Sequence, residues 1–220
     1  KILGNEDARL YKQAFNLKTG GNWKEGYQHK TNIPHLIKDF ETLSKQMNIK
    51  KEELTSRLDG IIVKLFKVRE KRIHPQKDDK ILTDWNGLMI AAMARAGAVL
   101  NNDIYVQSAI KAMDFILQNL QNKDGSLLKR YRKGNAGLTG VLDDYAFTIW
   151  GLIELYQMNY NETYLEIAMD LCEYQIEEFW DFDNHGFFFT AASGEKLLVR
   201  SKEVYDGAIP SGNSVSAYNF

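Results

Sequence analysis

The 220-residue sequence contains little cysteine and has almost no net charge. Its one cysteine, Cys172, permits neither an intrachain disulfide nor a cysteine-rich metal site, and a chain without disulfides is typical of a reducing, cytoplasmic location. Lysine and arginine together number 28 against 29 aspartates and glutamates, which leaves a net charge of -1. This balance offers no basic surface for nucleic acid or for an anionic membrane, so neither is predicted as a partner.

Histidines, phosphate-binding motifs and long apolar runs are also scarce. The four histidines (His29, His35, His74 and His185) lack the i, i+4 spacing of a zinc-binding helix, and GNAGLTG lacks the lysine of a phosphate-binding loop, so no metal or cofactor is predicted. The longest apolar stretch, near residues 88–94, is too short to cross a bilayer. The N-terminus has neither a signal-peptide pattern nor an initiator methionine, which suggests a processed or truncated piece.

Cys172 lies in YLEIAMDLCEYQIEEF, at a position that an amphipathic helix would bury. A catalytic thiolate needs a nearby cation or a helix N-terminus, and neither is evident in this segment. We therefore predict a small, buried and unmodified core side chain.

The most informative positive feature is a repeat of about sixty residues. Residues 84–100 and 144–157 each have the composition of an apolar helix. Each is followed by a segment with the spacing of an amphipathic helix, at 103–121 and 162–180. The repeating unit is therefore an apolar helix paired with an amphipathic one.

Short strand-like runs follow each helix pair. Turn residues next to these runs predict hairpins near 127–132 and 187–190. The basic run KRYRKG at 129–134 is interpreted as a solvated hairpin that could also touch an anionic sugar. A third apolar helix is predicted to begin near residue 212, in SGNSVSAYNF.

This pairing predicts the fold class. An apolar helix next to an amphipathic one implies an inner and an outer layer, as in an α/α-hairpin toroid. A closed toroid needs about six pairs, whereas this sequence holds roughly two and a half. We predict an all-α, partial α/α toroid over residues 1–220, with short β-hairpins between the helix pairs and an open edge. An irregular leader occupies 1–50 and the helical repeats occupy 51–220, starting with a helix at 51–73.

Three segments at the starts of inner helices carry the unusual residues: DDKILTDWNG, GLTGVLDDYAF and EVYDGAIPSGNS. Each has aspartate, an aromatic residue and glycine, and the starts of inner helices converge at one end of a toroid. Carboxylates, amides and aromatic faces are the groups that a sugar site requires. The candidate site residues are Asp84, Trp85, Asn86, Asp143, Asp144, Tyr145, Tyr205, Asp206, Ser211 and Asn213.

Each candidate also has a structural alternative. Asp84, Ser211 and Asn213 are suitable residues for capping a helix N-terminus. Trp85 and Tyr145 are of the types that fill cores. The functional interpretation therefore depends on the recurrence of these residue types at one end of the repeat.

Four strings resemble the spermatogenesis-associated protein 20 family: HPQKDDKILTDWNGLMIAAMARAG, GVLDDYAFTIWGLIELY, GFFFTA and KEVYDGAIPSGNSVSAYN. The resemblance covers about residues 15–220. Proteins of this family have a poorly defined function, with a thioredoxin-like domain followed by a six-hairpin glycosidase-like toroid. The resemblance implies that this sequence is an internal piece of the toroid, without the thioredoxin-like domain and the later repeats.

The resemblance also suggests a chemistry. Related toroids include unsaturated glucuronyl hydrolases, which use two aspartates on successive inner helices, and N-acylglucosamine 2-epimerases, which use two histidines. Asp84 and Asp144 have the separation of the hydrolase pair, and no histidine here lies at an inner-helix start. The visible residues therefore favour hydrolase chemistry over epimerase chemistry.

The leading prediction is a carbohydrate-active domain, specifically a glycoside hydrolase, with Asp84 and Asp144 as the acid/base pair. Asp143 and Asp206 would support them, Trp85 and Tyr145 would be substrate platforms, and a carbohydrate would be the ligand. The first alternative is a non-catalytic sugar-binding, protein-binding or structural domain that accompanies a thioredoxin-like domain. The second is an epimerase-like isomerase. A chain of this length is not expected to be active alone.

The predicted geometry is specific. Asp144 is expected to point into the central funnel toward Asp84, while Asp143 caps the helix or bonds neighbouring backbone. Cooperation in acid/base chemistry requires the carboxyl groups to be about 5 Å apart for retention, or roughly 6.5–9.5 Å apart for inversion.

Overall fold

A computed structural model of the chain describes residues 2–25 and 28–220, which are predominantly helical. Within them are eight helices: α1 Asn5–Ala14, α2 Phe40–Met47, α3 Lys51–Arg69, α4 Thr83–Leu100, α5 Asp103–Asn119, α6 Leu142–Asn159, α7 Glu162–Phe179 and α8 Gly212–Asn219. The same residues contain five short strands: β1 Trp23–Glu25, β2 Gln28–Thr31, β3 Ile81–Leu82, β4 Leu128–Arg132 and β5 Asn135–Thr139. None of these helices is both long and apolar enough to cross a membrane.

The chain divides into two compact units, Lys1–Lys77 and Asp78–Phe220. The first unit contains α1, α2, α3 and the antiparallel pair β1–β2. Its core forms where Leu54, Leu58 and Ile61, spaced by three or four residues along α3, cluster with apolar residues of α1 and α2. That residues 1–220 form one domain stays a prediction.

The second unit holds the repeat. Helices α4 and α5 pack as one hairpin, α6 and α7 pack as the next, and α6 also packs on α4 and α8. Helices α4, α6 and α8 are therefore neighbours in an inner layer, while α5 and α7 form the outer layer. The predicted inner-helix starts near 84, 144 and 212 are confirmed by the observed starts at Thr83, Leu142 and Gly212.

The core of the second unit lies between these two layers. Met113 and Ile116 of α5 are fully buried and cluster with Ile149 and Leu152 of α6. Burying a side chain of this size stabilises the fold by about 1.5–3 kcal/mol. Helix α6 is buried on most of its surface because outer and inner neighbours cover it, as its apolar sequence predicts.

Glycine allows α4 and α6 to approach closely. A Cβ atom added to Gly87 would lie 2.6 Å from the carbonyl carbon of Phe147, where no real Cβ fits. Gly151 of α6 also approaches α4 closely, because a Cβ atom added to it would lie 3.2 Å from the carbonyl oxygen of Gly87. The two backbones are therefore in contact near their starts, which brings Asp84 and Asp144 together.

A three-stranded antiparallel sheet, ordered β3-β4-β5, leads into α4. Strands β4 and β5 are joined by Lys133 and Gly134, both with positive φ (48° and 80°), as a two-residue hairpin turn requires. The predicted hairpin near 127–132 is confirmed. Because Leu82 pairs with Arg130, strand β4 passes beside the start of α4.

The second predicted hairpin, near 187–190, is wrong. Phe187 makes only an isolated bridge with Trp180, and no named strand covers 187–190. The guanidinium of Arg200 donates to the Thr190 and Glu178 carbonyls, at 3.1 and 3.0 Å. The backbone of Phe189 is also bonded outside any hairpin, because its N–H donates to the Ser201 carbonyl at 2.8 Å and its carbonyl accepts the Leu142 N–H at 2.9 Å.

Cys172 is only partly buried, so its predicted burial is wrong in degree. Its side chain packs at the edge of the main core, on the outer helix α7. Burial raises the pKa of the thiol to about 11. The sulfur is therefore protonated at neutral pH, which fits a packing role rather than a nucleophilic one.

Candidate functional site

The starts of α4 and α6 meet at Asp144, whose side chain is completely buried, with an exposed fraction of 0%. Its Oδ2 accepts the N–H of Val141 at 2.8 Å, and its Oδ1 accepts the N–H of Asp84 at 3.0 Å. First-turn N–H groups have no partner within their own helix, and the N-cap residues Leu82 and Val141 have no side-chain acceptor. Asp144 therefore supplies an acceptor at both starts and ties α4 to α6.

Lys129 of β4 lies between two carboxyl groups. Its Nζ is 2.6 Å from Asp84 Oδ2 and 3.3 Å from Asp144 Oδ1, so these two oxygens lie within about 6 Å of each other. Asp84 also accepts the N–H of Trp85 at 2.8 Å and is 6% exposed. We call Asp84, Lys129 and Asp144 the rim triad; it reaches solvent through Lys129 and the edge of Asp84.

Burial and charge set the protonation of the rim triad. Burial raises the pKa of Asp144 to about 7, although the Lys129 charge and the Val141 N–H oppose the rise. Burial disfavours the charged form of Lys129, but the two carboxylates outweigh this effect and raise its pKa. Near neutral pH, Lys129 is therefore charged and Asp144 is close to its titration midpoint.

Asp143, the adjacent carboxylate, reaches in the other direction. It is half-buried and accepts the N–H of Gly212 at the start of α8. Burial raises its pKa, while Lys129 and the Gly212 N–H oppose the rise. A side chain at residue 212 would overlap Asp143 Oδ1 and would come within 2.8 Å of Leu142 Cγ, so the approach requires glycine. Asp143 thus ties α6 to α8, as Asp144 ties α6 to α4.

The roles predicted for Asp143 and Asp144 are partly right. Asp144 does approach Asp84, and Asp143 does bond neighbouring backbone. The open position predicted for Asp144 is wrong, because its carboxylate caps α6 and is fully enclosed. The physical reason is that Asp144 is the third residue of α6, where a side chain folds back onto the N-cap N–H.

Trp85 and Asn86 follow Asp84 directly. The Trp85 side chain is 61% exposed beside the rim triad, so its indole is free to contact a ligand. The Asn86 amide donates to the Leu82 carbonyl at 2.7 Å and is half-buried, which gives it a role in holding the helix start.

Tyr145 does not fit its predicted role as a substrate platform. The residue is fully buried, and its ring stacks on Tyr174 at 5.2 Å between centroids. Its hydroxyl accepts the N–H of Leu127 at 2.8 Å. The prediction is wrong because Tyr145 faces the outer layer, where it joins the main core.

The third predicted segment, EVYDGAIPSGNS, mainly stabilises the local structure. Asp206 accepts the N–H of Ser211 at 2.9 Å, which lowers its pKa, and Ser211 is the N-cap of α8. The Asn213 amide accepts the Phe187 N–H at 2.8 Å and donates to the Phe187 carbonyl at 2.9 Å. Tyr205 is exposed. Ser211 thus follows its structural alternative as a helix cap, whereas Asn213 does not cap a helix and instead holds the backbone of Phe187.

Lys129 is the site residue that the sequence analysis missed. Its signal was the alternation in LKRYR, which places Lys129 and Tyr131 on the same face of β4. The Tyr131 ring packs edge-on against Phe115 of α5, with centroids 5.1 Å apart, so this face is turned toward the helices. Arg132, on the opposite face, pairs with Asp79, and all five residues of β4 are half-buried, so the prediction of a solvated hairpin is wrong for this strand.

The rim triad is not a metal centre. Its two carboxylates share the ammonium of Lys129, which occupies the place that a cation would take between them. Elsewhere in residues 2–25 and 28–220, no three histidine, cysteine, aspartate or glutamate side chains form a group that could hold a metal ion.

Comparisons with known proteins relate the chain to a family. No family model matches it. Spermatogenesis-associated protein 20 of Rattus norvegicus is 32% identical over 226 residues, covering 96% of this chain and 29% of that protein. The chain belongs to the spermatogenesis-associated protein 20 family. The Homo sapiens family member is 34% identical over 190 residues, covering 82% of this chain and 24% of that protein. The chain thus spans less than a third of the length of these spermatogenesis-associated protein 20 relatives.

Solved structures with a similar fold support the predicted architecture. Cellobiose 2-epimerase from Bacillus thermoamylovorans B4167 aligns with a TM-score of 0.53 and 18% identity, over 66% of this chain and 38% of that one. A family 105 glycoside hydrolase of C. acetobutylicum ATCC 824 aligns with a TM-score of 0.51 and 15% identity, over 82% and 53%. At such low identity the likeness shows the fold alone. The predicted α/α toroid class is confirmed.

Proposed function

We propose that the chain is part of a carbohydrate-active toroid that binds a sugar at the rim where α4 and α6 begin. The observation that carries the proposal is the rim triad next to the exposed indole of Trp85. Polar groups that bind hydroxyls and an aromatic face that packs on a sugar ring thus lie side by side. The names of the two solved structures, a sugar epimerase and a glycoside hydrolase, agree with a carbohydrate ligand.

Within this proposal the two carboxylates have different roles. Asp84 lies at the edge of the rim triad and is the group that we assign to proton transfer with the sugar. Asp144 is enclosed, so it acts as a positioning residue, holding the Asp84 backbone and sharing the charge of Lys129. Burial raises the pKa of Asp144 to about 7, so the negative charge that it places beside Lys129 and Asp84 changes with pH near neutrality.

The second candidate is a non-catalytic sugar-binding or structural domain. The complete burial of Asp144 favours it, because both of its oxygens accept backbone N–H groups at helix starts. In that case the rim triad only holds the helix starts together, and Trp85 alone contacts the ligand.

Binding is the readout that tests the proposal, since turnover is not expected from a chain of this length. The 220-residue chain is titrated with cellobiose and with a set of neutral and acidic disaccharides by isothermal titration calorimetry. For a sugar that binds, Trp85→Ala should weaken affinity at least about tenfold, which corresponds to about 1.4 kcal/mol. Tyr105→Ala, at the opposite end of the hairpin at the start of α5, is the matched control and should have no effect.

Asp84→Asn separates the two candidates. If Asp84 contacts the sugar, this isosteric change weakens binding together with Trp85→Ala. If Trp85→Ala weakens binding and Asp84→Asn does not, the domain binds sugar without the rim triad and the second candidate is correct. Unchanged affinity in both variants contradicts a ligand at this rim.

A further inference from the structure

A cavity of about 370 Å³ lies on the inner helices of the second unit. It is lined by Arg95 of α4, Trp150 of α6, and Pro210, Ser214, Val215 and Tyr218 in or beside α8. Arg95 is about three helical turns along α4 from Thr83, so the cavity is separate from the rim triad. Helices α4 and α6 thus contribute to two different sites.

Two aromatic side chains form one wall of this cavity. The rings of Trp150 and Tyr218 meet edge to face, with centroids 5.7 Å apart and planes inclined by 65°. The Trp150 indole N–H donates to Glu154 Oε1 at 3.2 Å, which fixes the orientation of the ring. A wall that is already oriented loses little entropy when an apolar ligand surface packs on it.

Arg95 gives the cavity its charge. Its guanidinium contacts Glu154 Oε1 at 3.5 Å, and its side chain is 66% exposed. Glu154 is only 7% exposed, so a ligand in the cavity meets the cation and not the carboxylate beneath it. A guanidinium has five N–H donors in a planar fork that matches the oxygens of a carboxylate or phosphate.

We propose that this cavity binds a sugar that carries an anionic group, with Arg95 on the anion and Trp150 and Tyr218 against the sugar ring. The inference rests on the proposed function in that the ligand is a carbohydrate. The volume lies at the lower end of the range for small-molecule sites, which suits one sugar unit. A carboxylate and a phosphate share the chemistry that Arg95 recognises.

The test is a titration of the 220-residue chain with glucuronic acid, glucose 6-phosphate, glucose and inorganic phosphate, followed by tryptophan fluorescence and calorimetry. The two anionic sugars should bind more tightly than glucose and more tightly than phosphate alone, and their relative affinities identify the preferred anion. Arg95→Met should weaken both at least about tenfold, since it removes charge-assisted hydrogen bonds. Lys111→Met, which removes an exposed cation from α5, is the control and should leave binding unchanged.

Glu154→Gln gives a change in the opposite direction. It keeps an oxygen for the Trp150 indole but removes the negative charge next to Arg95, so anionic sugars should bind more tightly. Binding that is equal for glucose and the anionic sugars, or unchanged in Arg95→Met, overturns the inference. Phosphate that binds as tightly as glucose 6-phosphate also overturns it, because the sugar ring then contributes nothing.

The same variants test the proposed sugar site at the rim and the proposed cavity site independently. Loss of anionic-sugar binding in Arg95→Met but not in Trp85→Ala supports the cavity and counts against the rim. Loss in Trp85→Ala but not in Arg95→Met supports the rim and overturns the inference.

Discussion

At the scale of single residues, the second unit depends on two adjacent aspartates that face different neighbours. Asp144 accepts backbone N–H groups at the starts of α6 and α4, and Asp143 accepts one at the start of α8. The two aspartates thus connect α6 to two different helices that pack on it. This explains why a pair of carboxylates precedes an otherwise apolar helix.

Replacing Asp144 with alanine should therefore cost much more than a helix cap usually does. The change leaves two N–H groups without their acceptor and removes one partner of the partly buried Lys129, so we expect a loss of about 3–5 kcal/mol in the free energy of unfolding. Urea denaturation measures this loss. Asp103→Ala, in the exposed first turn of α5, should cost less than about 1 kcal/mol. Equal losses of unfolding free energy in the two variants would show that Asp144 stabilises the fold no more than an ordinary first-turn aspartate does.

At the scale of helices and strands, the close contact of α4 with α6 depends on Gly87. Gly87→Ala would place a methyl group 2.6 Å from backbone atoms of Phe147, so we expect the two helices to separate and stability to fall by about 1–3 kcal/mol. Thermal unfolding followed by circular dichroism measures the change. Gly60→Ala is the matched control, because Gly60 also lies inside a helix but nothing is within 4 Å of its added Cβ. The control should be neutral or stabilising by up to about 1 kcal/mol; the same gain at Gly87 would contradict the packing described.

The elements themselves were largely predictable from the sequence. The three inner helices start within two residues of the predicted positions, because their apolar composition and the aspartate and glycine before them are local signals. The hairpin near 127–132 followed from its turn residues. The hairpin near 187–190 was wrong because the backbone of Phe189 bonds Leu142 and Ser201, which no local pattern predicts.

The site was less predictable than the elements. Tyr145 was misplaced because α6 is apolar on nearly every face, and the sequence of such a helix does not reveal which face meets the outer layer. Lys129 was missed because its partners, Asp84 and Asp144, are 45 and 15 residues away. The cavity around Arg95 is lined by residues of three helices that are far apart in sequence, and no local sequence motif indicates it.

At the scale of the whole molecule, the rim triad should make stability depend on pH. An unfolded Asp144 titrates near 3.8, whereas burial raises the pKa in the folded chain to about 7. Between these values the folded chain holds a proton that the unfolded chain has released, so the contribution of Asp144 to stability falls as pH rises from about 4 to about 7. Above the folded pKa this contribution no longer changes with pH.

Two measurements check this dependence. The ¹³C shift of the Asp144 carboxyl group gives its pKa directly, and urea unfolding at several pH values gives the stability. Asp144→Asn should remove the part of the decline in stability between pH 4 and 7 that the titration of Asp144 causes. Lys129→Met should move the midpoint above 7, since the ammonium that opposes the rise is gone. A midpoint below about 5 in the unaltered chain contradicts the prediction.

The contact between Asp144 and Asp84 also matters for the order of folding. It joins groups sixty residues apart, whereas each helical hairpin is made from neighbouring segments of the chain. Local hairpins close with a smaller loss of chain entropy than distant contacts do, so each can form before the two dock. The Asp84 N–H is therefore a natural reporter of docking, because its acceptor, Asp144 Oδ1, belongs to the other hairpin: a probe of this N–H would respond to the assembly of one hairpin on the next and not to the formation of either alone.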